Sequence, residues 1–126
     1  MPDITVSELI FYEVGDATEL TLTVVVGEGQ VGGSAADLPG CSVHRQGPDL
    51  ENDEDDAPTR FTVRCPDGLR RKVLTCQTRV KDINPDTDRT SVTHTLEGGP
   101  RADSQTFSRV ASTGGRVIYT ISYVLV

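Results

Sequence analysis

The chain predicts an all-β domain, an antiparallel β-sandwich of seven to eight strands built from hairpins, and three observations lead there. Apolar and polar residues alternate with a period of two through most of its length. Aromatic residues are only 5% and Trp is absent, so the core must come from Val, Ile and Leu, which suit a pleated surface. Turn-forming pairs, Gly15-Asp16, Asp67-Gly68 and Gly114-Gly115, separate the alternating runs. No segment keeps a helical period and no repeat of fixed length occurs. A closed β-barrel is the alternative way to bury the same rows.

With 126 residues the chain forms a single domain, 1–126. That length buries roughly two-thirds of the surface exposed by the unfolded chain, so one core suffices.

Taken in order, Ile4 to Val14 and Glu19 to Gly27 read as a hairpin about Gly15-Asp16. This register sets Phe11 opposite Leu20 and Leu9 opposite Leu22 on the inner face. Ile4 and Val6 fall on the other parity, which calls for a β-bulge near Ser7-Glu8 or a strand covered on both faces. Residues 28–58 then lose all periodicity and form an irregular acidic excursion, longer than a compact domain usually tolerates as plain loop. Cys41 to Arg45 can form a short edge strand within it. The cluster Asp49, Glu51, Asp53, Glu54, Asp55 and Asp56 repels itself and stays solvated.

Phe61 to Cys65 resumes the alternation, and Pro66-Asp67-Gly68-Leu69 turns the chain so that Phe61 faces Leu74. Cys65 then faces Arg70, which argues against a Cys65-Cys76 bridge. The clearest signal follows. Leu74, Cys76, Thr78 and Val80 form one apolar row, and Val92, His94 and Leu96 form another. A five-residue loop, Asn84 to Asp88, sets Val80 opposite Val92 and Cys76 opposite Leu96 if the two runs pair. Thr75, Gln77, Arg79 and Lys81, with Ser91, Thr93, Thr95 and Glu97, belong to the wet side. Gly98-Gly99-Pro100 breaks the pattern. Ser104 to Ser112 and Arg116 to Val126 close the chain as a hairpin about Gly114-Gly115. The last run is apolar on both faces, as a central strand would be. The segment D-I-N-P-D-T-D-R-T-S-V-T-H-T-L-E-G-G resembles a strand-turn-strand element of small bacterial β-proteins, a resemblance that implies no function.

Net charge is -7, so the average field repels nucleic acid and anionic lipid. No apolar run is long enough to cross a bilayer, so no membrane insertion is expected. The N-terminus lacks the features of a secretory signal, and three cysteines cannot all pair within one chain. Both point to a cytoplasmic protein, export without a cleaved signal aside.

Four groups of residues invite chemistry. Asp82, Asn84, Asp86 and Asp88 place oxygen ligands at alternate positions, like the front half of a calcium loop. Thr87 and Thr93 stand where an EF-hand needs glycine and glutamate, so the plainer reading is a polar turn. Calcium would bridge this 82–88 loop and the 49–56 cluster. Cys41, His44, Cys65 and Cys76 supply a zinc set in number but not in spacing. His94, on an apolar row opposite Thr78, reads as a neutral core histidine bonded to that hydroxyl. Gly27, Gly29 and Gly32-Gly33-Ser34 read as flexible loop glycines, since no lysine and no helix follows to make a phosphate cradle.

No catalytic constellation emerges, and the expected role is not enzymatic. It is an interaction or self-assembly module working through exposed strand edges, its partner a protein or a second copy of itself. A calcium-dependent binding domain, or an acidic inhibitor of the immunity type directed at a basic protein, are the alternatives. A small hydrolase or sugar-binding fold ranks last, because no Trp platform is present. No resident cofactor is expected apart from that calcium.

Overall fold

The computed structural model describes residues 3–51 and 54–126. Among these the chain forms nine strands and no helix: β1 (Ile4–Tyr12), β2 (Glu19–Val26), β3 (Val31–Asp37), β4 (Ser42–Gln46), β5 (Thr59–Arg64), β6 (Val73–Lys81), β7 (Arg89–Glu97), β8 (Asp103–Val110) and β9 (Arg116–Leu125). They build two sheets packed face to face, of order β1-β9-β6-β3 and β4-β5-β2-β7-β8. The sheets do not close into a barrel, and the β-sandwich is the architecture that the alternation predicts.

The sorting into dry and wet rows holds except at Ser91, expected on the wet side but buried. Leu74, Cys76, Thr78 and Val80 on β6 and Val92, His94 and Leu96 on β7 are all buried. Their pairing differs from expectation. β6 lies between β9 and β3, while β7 lies between β2 and β8 in the other sheet. Residues 82–88 are therefore an arch across the sandwich rather than a hairpin turn. Folding two alternating strands side by side puts their apolar rows on one face, whereas arching one over the other makes the rows face each other. Parity is identical in the two cases. Only the arch gives each row an opposing layer, about 10 Å away.

The same correction applies to the other expected hairpins. β1 does not pair with β2, β5 does not pair with β6, and β8 does not pair with β9. The hairpins present are β4-β5 and β7-β8, the latter turning at Gly98-Gly99-Pro100. Tyr12 holds that turn: its hydroxyl donates to the Arg101 carbonyl at 2.7 Å and accepts from the Gly99 amide at 3.2 Å.

β1 runs parallel to β9, from Ile4 beside Val117 to Tyr12 beside Leu125 without a bulge, so the sandwich is not wholly antiparallel. Tyr12 is buried, and Ile4, Val6 and Ile10 pack against the core, which leaves Leu9 and Phe11 on the outer face. β9 is interior, between β1 and β6, as its two apolar faces require. It offers no free edge; the edge strands are β1, β3, β4 and β8.

The excursion is more ordered than its composition suggests. It contains β3 as well as the edge strand β4, and Gly32, Gly33 and Ser34 belong to β3. A Cβ on Gly32 would sit 2.6 Å from the Arg79 carbonyl oxygen, so the close approach of β3 to β6 requires a residue without one. The loop between β4 and β5 lies along the outer edge of β3. The Gly32 amide donates to Asp55 and the Ser34 amide to Pro48, each through a backbone carbonyl. That covers donors which would otherwise invite strand addition.

Three polar pairs are sealed between the layers: Ser34 with Thr78 at 2.8 Å, Thr90 with Tyr119 at 2.7 Å, and His94 with Tyr123 at 2.9 Å. Buried hydroxyls need such partners, and pairs like these fix which residue faces which.

Candidate functional site

The arch from β6 to β7 is held by Gln30, a buried residue just before β3. Its side-chain oxygen accepts from the amides of Ile83 at 2.7 Å and Asn84 at 2.8 Å. Its side-chain nitrogen donates to the carbonyls of Thr87 and Arg89, both at 3.1 Å. One amide group thus satisfies four backbone groups at the two ends of the loop. Asn84 closes the inner turn: its Oδ1 accepts from the Asp86 amide at 3.0 Å and its Nδ2 donates to the Glu28 carbonyl at 2.9 Å.

Beside the arch lies an open bowl of about 550 Å³, walled by residues 82–88 together with Thr113 and Gly114 from the β8-β9 turn. Asp82 is only 6% exposed, and neither of its carboxylate oxygens has a hydrogen-bond partner. Asp88 is half-buried and accepts from the Thr113 hydroxyl at 3.1 Å. The two turns are tied by the Asp82 amide donating to Gly115 at 2.9 Å and the Ala111 amide donating to Asp88 at 2.8 Å, each through a backbone carbonyl. Burial pushes the Asp82 carboxyl above its ordinary 3.8, and hydrogen bonding and repulsion from the Asp88 carboxyl add to this. The Gln30 side chain and the Gly114 backbone offset part of that rise.

Of the four predicted cation ligands, the structure brings together Asp82 and Asp88. Asn84 is committed to the loop's own turn, and Asp86 is exposed at its tip. Among the described residues, none of the 49–56 cluster lines the bowl. Glu54 pairs with Lys81 at 3.5 Å and Asp49 with Arg45 at 3.6 Å, while Asp53 lies outside the described residues. Among the described residues, no three His, Cys, Asp or Glu side chains converge as a metal cluster.

The zinc set is taken apart by a disulfide between Cys41 and Cys65. The register of β4 and β5 pairs Ser42 with Arg64, so the next residues outward are directly opposed, with Cα atoms 4.9 Å apart. Cys76 stays unpaired and buried, and burial pushes its thiol up to about 12, far from a reactive thiolate. His94 is the buried neutral residue expected, but Tyr123 rather than Thr78 is its partner, because Thr78 faces Ser34. Burial lowers its pKa to about 4.

A second surface stands out on the outside of the four-stranded sheet. Phe11, Val124 and Val73 form one row across β1, β9 and β6, with Leu9 two residues along β1. Phe11 is 67% exposed and Leu9 62%, and the row borders the unpaired edge of β1.

Gln30 and Thr113 escape a reading of the sequence. Gln30 stands among glycines with no pattern around it, and Thr113 lies far along the chain from Asp88. Comparison with protein-family models, curated proteins and solved structures finds no match. No helix among the described residues is long and apolar enough to cross a membrane.

Proposed function

We propose that this chain is a non-catalytic interaction module that assembles with a second copy of itself through the β1 side of the four-stranded sheet. The observation that carries this reading is the outward row of Phe11, Val124 and Val73 with Leu9 beside the free edge of β1. Contiguous apolar surface next to an unpaired strand gives a partner both area and main-chain hydrogen bonds. Glu8 is exposed on that edge strand, and a charge there discourages indiscriminate strand pairing.

The Cys41 and Cys65 bridge bears on where the module works. Disulfides persist in oxidising surroundings, so it favours such a compartment over the cytoplasm that an odd cysteine count suggests.

The test is the mass in solution across a concentration series, for the wild type and Phe11→Asp. Concentration-dependent dimers in the wild type, lost in a Phe11→Asp variant of unchanged circular dichroism, are expected. A strict monomer at high concentration, or equal association in both, would overturn the reading.

A further inference from the structure

We infer that Asp82 and Asp88, with the Thr113 hydroxyl beside them, form a binding site for a hard divalent cation, calcium. The site stands apart from the assembly surface and rests on different observations.

Two carboxylates near each other on a loop are not in themselves a site. What distinguishes this pair is the state of Asp82. Its side chain is 94% shielded, it lines the bowl, and both oxygens lack a donor. A buried carboxylate normally recovers its lost hydration from backbone amides or a cationic side chain. The Gln30 side chain eases the Asp82 charge in part, but both of its N–H donors are spent on the Thr87 and Arg89 carbonyls. No ion pair to Asp82 or Asp88 occurs among the described residues. The neighbour is instead a second acid, Asp88, turned toward the same space by Thr113.

Such an arrangement lacks a positive charge at one place. A calcium ion supplies it, accepts irregular oxygen geometry and draws the rest of its six to eight ligands from water. The bowl is open enough to admit that water. The loop is also pre-shaped: Gln30 and the Asn84 turn hold the backbone without drawing on either carboxylate. Among the described residues the lining holds no histidine or cysteine, which disfavours zinc.

The experiment is calorimetric titration of the full chain with CaCl2 and with MgCl2 after chelator treatment, paired with thermal midpoints in each condition. The wild type is expected to bind calcium with one-to-one stoichiometry and to melt higher in its presence. Asp82→Asn and Asp88→Asn should each weaken binding by about tenfold or more, whereas Asp86→Asn, at the exposed tip, should leave it unchanged. Asp82→Asn removes an unpartnered charge and should fold at least as well as the wild type without metal. If it does not fold, Asp88→Asn carries the same comparison. Absence of any calcium response overturns the proposal, as does a response to magnesium alone. So does a calcium response equal in wild type and Asp82→Asn, which would place the ion elsewhere. A wild type indifferent to calcium whose metal-free stability rises toward that of Asp82→Asn on mild acidification would mean that the two acids share a proton, and this too overturns it.

Discussion

His94 Nδ1 lies 2.9 Å from the Tyr123 hydroxyl across the sandwich, one on β7 and the other on β9, with Phe107 edge-on to the imidazole at 5.6 Å. His94 Nε2 is buried with no partner, so a second ring proton would have nothing to bond. The unfolded chain takes that proton near 6.5 and the folded one resists until about 4. A depressed histidine pKa contributes stability that is fully present above the unfolded value and is lost as pH falls through the folded value. The difference amounts to about 3 kcal/mol. Urea denaturation at a series of pH values should show stability declining from about pH 6.5 toward pH 4. His94→Leu combined with Tyr123→Phe should keep the fold and flatten that decline. Asp82 acts in the opposite sense: its raised pKa means stability gained, not lost, as pH falls toward 3.8, so it cannot account for the acid loss.

Reduction of the bridge between Cys41 and Cys65 should lower stability by about 3 kcal/mol, because the linked residues are 24 positions apart and the open chain regains that freedom. Thiol titration of the unreduced protein should find no reactive group in the native state and one after denaturation, the buried Cys76. Three titratable thiols in denaturant without reductant would show that the bridge does not form.

Gln30→Ala removes four hydrogen bonds from the arch while leaving its backbone groups at the protein's interior end. The expected cost is about 2–4 kcal/mol by denaturant unfolding. Amide exchange at Ile83 and Asn84 should accelerate well beyond that of β9. Equal protection in the variant would mean that the loop holds its shape unaided.

Phe11 and Phe61 make a matched pair for testing which side of each strand is dry. Phe61→Ala empties a fully buried site and should cost about 3–5 kcal/mol. Phe11→Ser, on the exposed outer face, should change the monomer's stability by no more than about 0.5 kcal/mol. The alternation of β1 alone assigns Phe11 inward, so this comparison checks the observed parallel pairing directly.

How much was legible follows from what a period of two can encode. It separates Leu74, Cys76, Thr78 and Val80 from Thr75, Gln77, Arg79 and Lys81 because burial acts on one face of a strand whatever lies alongside it. It is silent on partners: Val80 and Val92 carry the same signature in one sheet or in two. β3 was hidden because Gly32, Gly33, Ser34, Ala35 and Ala36 have too little side chain to alternate visibly, although their smallness is what lets β3 approach β6. Leu9 and Phe11 misled because an exposed apolar row looks like a core row. At the bowl, Asp82 and Asp88 could be read from their spacing in one loop. Thr113 could not, since only the crossing of two turns brings it to Asp88.

The side-by-side alignment of β1 with β9 has a kinetic meaning. Ile4 emerges from a ribosome long before Val117 exists, so β1 has no backbone partner during most of synthesis, and its core-facing Val6, Ile10 and Tyr12 wait uncovered. Docking of that strand must be a late event, one that only a completed four-stranded layer can reward. A cell making this protein therefore holds an unfinished edge for the duration of translation, and the inward side chains of β1 stay uncovered until the last strand is made.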